Sequence, residues 1–191
     1  MNIAQLEALM YEVSGLLLTP VLLVITLLFF YAFFIFGCFV SQYLQRKQNG
    51  NHYRQAIRSL LGSTPTIRAR PVKGYRLFSH YQDNSAKTIT DLEIYAIKQL
   101  EKQRIVTRIA PMLGLVATMI PMGPALKALA DGNIQGISEN LIVAFAAVIF
   151  GLVTASITFW TASVKKRWFA VELNDLQACL AKESSPVVPG R

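Results

Sequence analysis

Hydrophobic and polar positions are segregated along this chain in long blocks. No Asp, Glu, Lys or Arg occurs over residues 13–45, 109–126 or 140–164. Crossing about 30 Å of hydrocarbon takes about 20 apolar residues at a rise of about 1.5 Å each. The pattern therefore predicts three membrane-spanning helices, at 15–40, 109–127 and 140–164. A buried soluble helix could account for one such block, but three in a chain of 191 residues would leave little to cover them. The first is read as a retained span and not a cleaved leader. No basic residue precedes it, it is too long for a leader's apolar stretch, and no small-residue cleavage site follows it.

The blocks differ in side-chain size. The first carries Leu, Phe, Ile and Val on every face and is expected to meet lipid. In the second, Gly114, Ala117, Thr118, Pro121 and Ala125 share one helical face. In the third, Ala144, Ala147, Gly151, Thr154, Thr158 and Thr161 form a similar stripe. Lipid tails are as apolar as Leu, so helices within them associate through small residues and polar contacts. Two such faces predict two closely packed helices, with Gly114, Ala147 and Gly151 at the contact. Pro121 and Pro124 remove two backbone donors near one end of the second span, and neighbours, hydroxyls or water must satisfy the freed carbonyls. The threonine hydroxyls either bond back to their own helix carbonyls or line a path for water or a cation. The residues alone leave both open.

Between the first two spans the chain is polar and punctuated. Residues 60–65 and 70–74 read as turns, 52–61 as one short helix, and the rest of 46–87 as having little helical order. Thr90-x-x-Glu93 has capping-box form and predicts a helix that runs into the second span. Glu101 and Arg104 are spaced to pair on it. Residues 167–182 predict a further helix, with the chain loose from Ser184. Ser138 before Glu139 predicts the N-terminus of the third span, where a first-turn acid suits the helix dipole.

Composition sharpens this reading. The chain is 53% hydrophobic and 16% charged, which excludes a disordered chain and an ordinary soluble enzyme. Of its 19 Lys and Arg, only Lys127 lies outside residues 46–108 and 165–191. The positive-inside rule then puts residues 1–14 outside, the basic segment 41–108 and the tail 165–191 in the cytoplasm, and 128–139 in a short outer loop. The net charge of +8 is thus a topology signal, with no motif for nucleic acid. No Ser/His pair, Cys nucleophile or His/Glu cluster is placed for chemistry, so neither an enzyme nor a cofactor or metal site is expected. His52 and His80 read as solvated surface residues, and Cys38 and Cys179 as unpaired thiols. No acid lies deep in any span, so a proton crossing here would need a carboxylate from another chain.

The run Ala110-Pro111-Met112-Leu113-Gly114-Leu115-Val116-Ala117-Thr118-Met119-Ile120-Pro121-Met122-Gly123-Pro124 resembles the second-span signature of the MotA/TolQ/ExbB proton-channel family. Ser138-Glu139-Asn140-Leu141-Ile142-Val143-Ala144-Phe145, followed by Gly151-Leu152, resembles its third-span signature. The resemblance covers residues 88–168. It implies an ExbB/TolQ-like all-α membrane protein whose second and third helices extend into the cytoplasm, in the inner membrane. It also implies a homo-oligomer, a pentamer, around a single-span MotB/TolR/ExbD-like partner whose Asp carries the proton. Such a complex couples ion flow to work in the cell envelope. By the resemblance, Thr118 matches the second-span threonine of the ion path and Glu139, beside Asn140, the acid opening the third span. Relatives usually place Thr where this chain has Ala146, Ala147 and Val148, so Thr154 is the substitute candidate one turn further along. That departure leaves a non-conducting oligomeric scaffold of the same fold as the alternative. The long cytoplasmic insert of the flagellar subunit is missing, which favours an envelope-energising role.

Overall fold

The computed structural model describes residues 3–61, 72–83 and 88–184. Its elements are all helical: α1 (Ile3–Leu61), α2 (Arg76–Asp83), α3 (Ile89–Ala130) and α4 (Ile134–Ser184). α1, α3 and α4 each contain a stretch long and apolar enough to cross a membrane. The chain divides into two units, Met1–Phe36 with Gln103–Trp160, and Gly37–Lys102 with Thr161–Arg191.

In the first unit, α3 and α4 are joined by a hairpin of three residues. Gly132 takes φ +69°, a left-handed conformation that Gly adopts without steric cost. Asn133 N–H donates to Ala128 C=O at 2.8 Å and Gly132 N–H to Leu129 C=O at 3.1 Å, which closes α3 with a Schellman motif. Asn133 then caps α4, its Oδ1 accepting from Gly136 N–H at 3.0 Å. The third helix thus starts at Ile134, not at the expected Ser138 cap; Ser138 is interior and its hydroxyl donates to Ile134 C=O. α3 stays helical through Pro111, Pro121 and Pro124. Ile25 of α1 packs with Ala117 and Ala147 in a small core. α1 is therefore not lipid-facing on every side: Ile25, Ala32 and Ile35 are buried, while Leu16, Leu23, Leu27, Phe30 and Phe34 are exposed.

The second unit has a larger and more aromatic core. Tyr53 and Ile57 of α1, Leu77 and Phe78 of α2, Leu92, Ala96 and Leu100 of α3, and Phe169, Leu176 and Cys179 of α4 bury one another. This packing keeps the polar run after the first span helical. Residues 52–61 form the last turns of α1 and not a separate helix, and α2 was not expected at all. The tail helix is likewise continuous with α4. α3 begins at Ile89, so Thr88 and not Thr90 holds the cap position, with Asp91 N–H donating to Thr88 C=O. Glu101 and Arg104 are both exposed and form no ion pair; among the described residues the pair formed is Arg46–Glu172. The turn expected at 70–74 is present over its described part, Tyr75 N–H donating to Val72 C=O. The expectations for 62–71 and for the chain beyond Ser184 fall outside the described residues.

Candidate functional site

The small faces meet as their composition requires. Gly114, Ala117, Pro121 and Ala125 of α3 are buried, as are Ala144, Ala147 and Gly151 of α4. The tightest point is at Gly151. A Cβ there would lie 2.8 Å from Ala110 O and 3.3 Å from Gly114 Cα. Gly114 has more room, its nearest neighbour being Val148 Cα at 3.5 Å from a Cβ. Backbones this close gain dispersion contacts that bulky side chains would prevent.

The four candidate ion-path residues do not converge. Thr118 is half-buried and its hydroxyl donates to Leu115 C=O at 2.6 Å. Thr154 is fully buried and its Oγ1 has no hydrogen-bond partner. The two lie on opposite sides of the Gly114–Gly151 crossing. Glu139 is exposed in the second turn of α4, where its Oε1 accepts from Gln135 Nε2 at 3.0 Å. Half-buried Asn140 donates from Nδ2 to Gly136 C=O at 2.8 Å. Fifteen residues of helix put Glu139 about 22 Å from Thr154 along α4. The pair Glu139 and Asn140 belongs to the hairpin end.

Two polar groupings had no counterpart in the sequence reading. The first adds α3 side chains to the threonine stripe. Thr107 Oγ1 lies 3.0 Å from Thr158 Oγ1 and 2.8 Å from Gln103 C=O, and Gln103 itself is buried. The second is in the other unit. Arg46 pairs with the fully buried carboxylate of Glu172, whose Oε2 accepts the amides of Leu77 (3.0 Å) and Phe78 (3.3 Å) in the first turn of α2. A carboxylate suits those orphan donors and the positive end of the helix dipole. The Arg46 guanidinium lies 4.2 Å from the Tyr75 ring centroid and 4.7 Å from that of Trp168. Tyr75 stacks on Tyr53 at 3.9 Å and Trp168 on Phe39 at 5.2 Å. Gly74 (φ +98°) turns the chain into α2, and its carbonyl accepts from Gln42 Nε2 and Arg46 Nη1. The signal was legible in part: Glu172 falls on the same helical face as Phe169, Leu176 and Cys179.

His80 is not simply solvated. It stacks on Tyr95 at 4.0 Å and lines an open cleft of about 330 Å³ with Arg76, Ser79 and Asp83. Neither Cys38 nor Cys179 forms a disulfide. Among the described residues no group of three His, Cys, Asp or Glu could hold a metal ion.

A chain whose described elements are all helical, three of them membrane-capable and two of those locked through small faces, defines a helical membrane protein. Residues 79–178 match the model of the MotA/TolQ/ExbB proton channel family, and the chain belongs to that family. The match takes in all of α3 and most of α4, and extends the resemblance beyond 88–168 at both ends. No curated protein and no solved structure matches the chain.

Proposed function

We propose that this protein is the pore-forming subunit of a proton-driven complex in the inner membrane. Several copies, five by family resemblance, surround a single-span partner, and ion flow past that partner does work in the cell envelope. The observation that carries this reading is the family match over α3 and α4, where the two small faces pack. The uncharged spans support it further: with no acid inside them, the ion needs a carboxylate from the partner, an Asp by resemblance. The basic segments 41–108 and 165–191 face the cytoplasm and the N-terminus lies outside. Thr118, half-buried on α3, is the candidate lining residue, and Thr154, Glu139 and Asn140 are the remaining ones.

Co-expression with a single-span partner and reconstitution into vesicles tests the proposal. The expected result is partner-dependent proton uptake that Thr118→Val reduces. Uptake unchanged by Thr118→Val would remove Thr118 from the path. Stable complex without uptake would favour the second reading, a non-conducting scaffold. Ala147 and Val148, standing where relatives place Thr, are the observation behind that alternative.

A further inference from the structure

The contact between α3 and α4 changes character one turn beyond Gly151. Toward the hairpin it is built from Ala and Gly; away from it, it carries oxygen. The one proton of Thr107 goes to Gln103 C=O or to Thr158 Oγ1, while Thr26, Thr118, Ser138, Ser156 and Thr158 each donate to a carbonyl of their own helix. Thr154 does not, although no part of it is exposed. One turn along α3 from Thr107, Gln103 is 7% exposed and its Oε1 is also without a partner. Between these two orphan oxygens stands the Thr107–Thr158 hydroxyl pair. Pro111 has no N–H, so the Thr107 carbonyl lacks the amide that would bond it four residues on.

An unpaired buried hydroxyl or amide oxygen costs about 1–3 kcal/mol. Ordered water is the usual remedy for such groups. Thr154 is enclosed by its own chain, so no side chain of another subunit or partner reaches it without parting α3 from α4. The occupant must be small. The two orphan oxygens lie on opposite sides of the Thr107–Thr158 pair, four residues of helix to each side, or about 12 Å apart along the seam. One water spans about 5.6 Å between two oxygens, so each oxygen needs a water of its own. We propose that water is bound inside a single subunit, between α3 and α4, one molecule on Thr154 Oγ1 and another on Gln103 Oε1. With Thr158 and Thr107 between them, these waters extend a row of oxygens along the seam. This site is separate from the path at Thr118 and does not depend on the protein conducting ions.

Solid-state NMR on the full chain in lipid bilayers, with magnetisation transferred from water to ¹³C-labelled Thr and Ala, tests it. Transfer to Thr154 Cβ should build up several-fold faster than to Ala117 Cβ, which is equally buried but surrounded by apolar groups. Build-up as slow as that of Ala117 would overturn the proposal. Thr154→Val keeps the side-chain shape, and should lower the melting temperature and slow transfer to Thr158. A melting temperature unchanged or raised would mean that the hydroxyl was merely unpaired, and would overturn it too. Should that variant not fold, Thr154→Ser retains the hydroxyl and should keep the fast transfer, while slow transfer in it would count against the site. A Thr154 resonance that shifts when sodium is replaced by choline would mean a bound cation in place of water.

Discussion

The interiors of the two units are packed by opposite means. The first brings helix backbones together by leaving side chains out: Gly114, Gly151 and the buried alanines supply nearness and almost no apolar bulk. The second fills its interior with Phe, Leu and Tyr around a buried ion pair. Water drives large apolar side chains together, so the second unit has the interior of a soluble domain. In lipid that drive vanishes and close packing replaces it. The contrast is the one expected between a unit packed for lipid and a unit packed for water.

The strongest test of the contrast falls on the second unit. Arg46→Ala leaves Glu172 buried and unpaired, and removing one partner of a buried pair costs about 3–5 kcal/mol. Each unit holds one of the two tryptophans, Trp160 in the first and Trp168 in the second. Fluorescence melting of a Trp160→Phe background should therefore report the loss through Trp168. The double variant Arg46→Met, Glu172→Leu should recover part of it. Recovery stays incomplete because the amides of Leu77 and Phe78 lose their acceptor. A single variant as stable as the parent would remove the pair from the account.

In the first unit the sharper test is a pair of identical changes. Overpacking costs about 1–3 kcal/mol, and at Gly151 an added methyl meets the Ala110 carbonyl, part of a backbone. Gly151→Ala should lower the melting temperature in detergent. Gly114→Ala meets only ordinary contact and gains helix propensity of about 1 kcal/mol, so its melting temperature should hold or rise. Equal effects at the two glycines would show that smallness alone, not the measured approach, organises the helix pair. Next in size is the hairpin: Asn133→Ala should cost about 1 kcal/mol as a lost cap, where Ser138→Ala should cost far less because Ser138 is interior. The smallest expected change is Thr118→Val, within about 0.5 kcal/mol in stability whatever its effect on flux.

The spans and the small faces were legible because they are periodic and local. Ala144, Ala147, Gly151, Thr154, Thr158 and Thr161 are all buried as the stripe required. The hairpin was misplaced because Asp131-Gly132-Asn133 compresses a C-cap and an N-cap into three residues, while Ser138-Glu139 offers a competing local cap. Residues 52–61 were expected as a short helix of their own, but its continuity with the first span through 46–51 was missed because that polar sequence says little, and tertiary packing of Tyr53 and Ile57 supplies the order. Arg46 and Glu172 are 126 residues apart in sequence, and no local pattern joins them. The same limit applies to Thr107, whose partner Thr158 is on another helix. It also applies to Thr154: the stripe predicted its burial, but not that its hydroxyl makes no hydrogen bond to its own helix.

Gly151 has a consequence beyond packing. Its missing carbon sets the separation of two backbones two turns along α4 from Thr158, which meets Thr107 at 3.0 Å. Hydrogen bonds between hydroxyls are confined to O···O distances of about 2.5–3.0 Å, and this pair already stands at the upper end of that range. The glycine therefore works as a spacer gauge, and a single methyl there would be read out as detuned hydroxyls further along the helices.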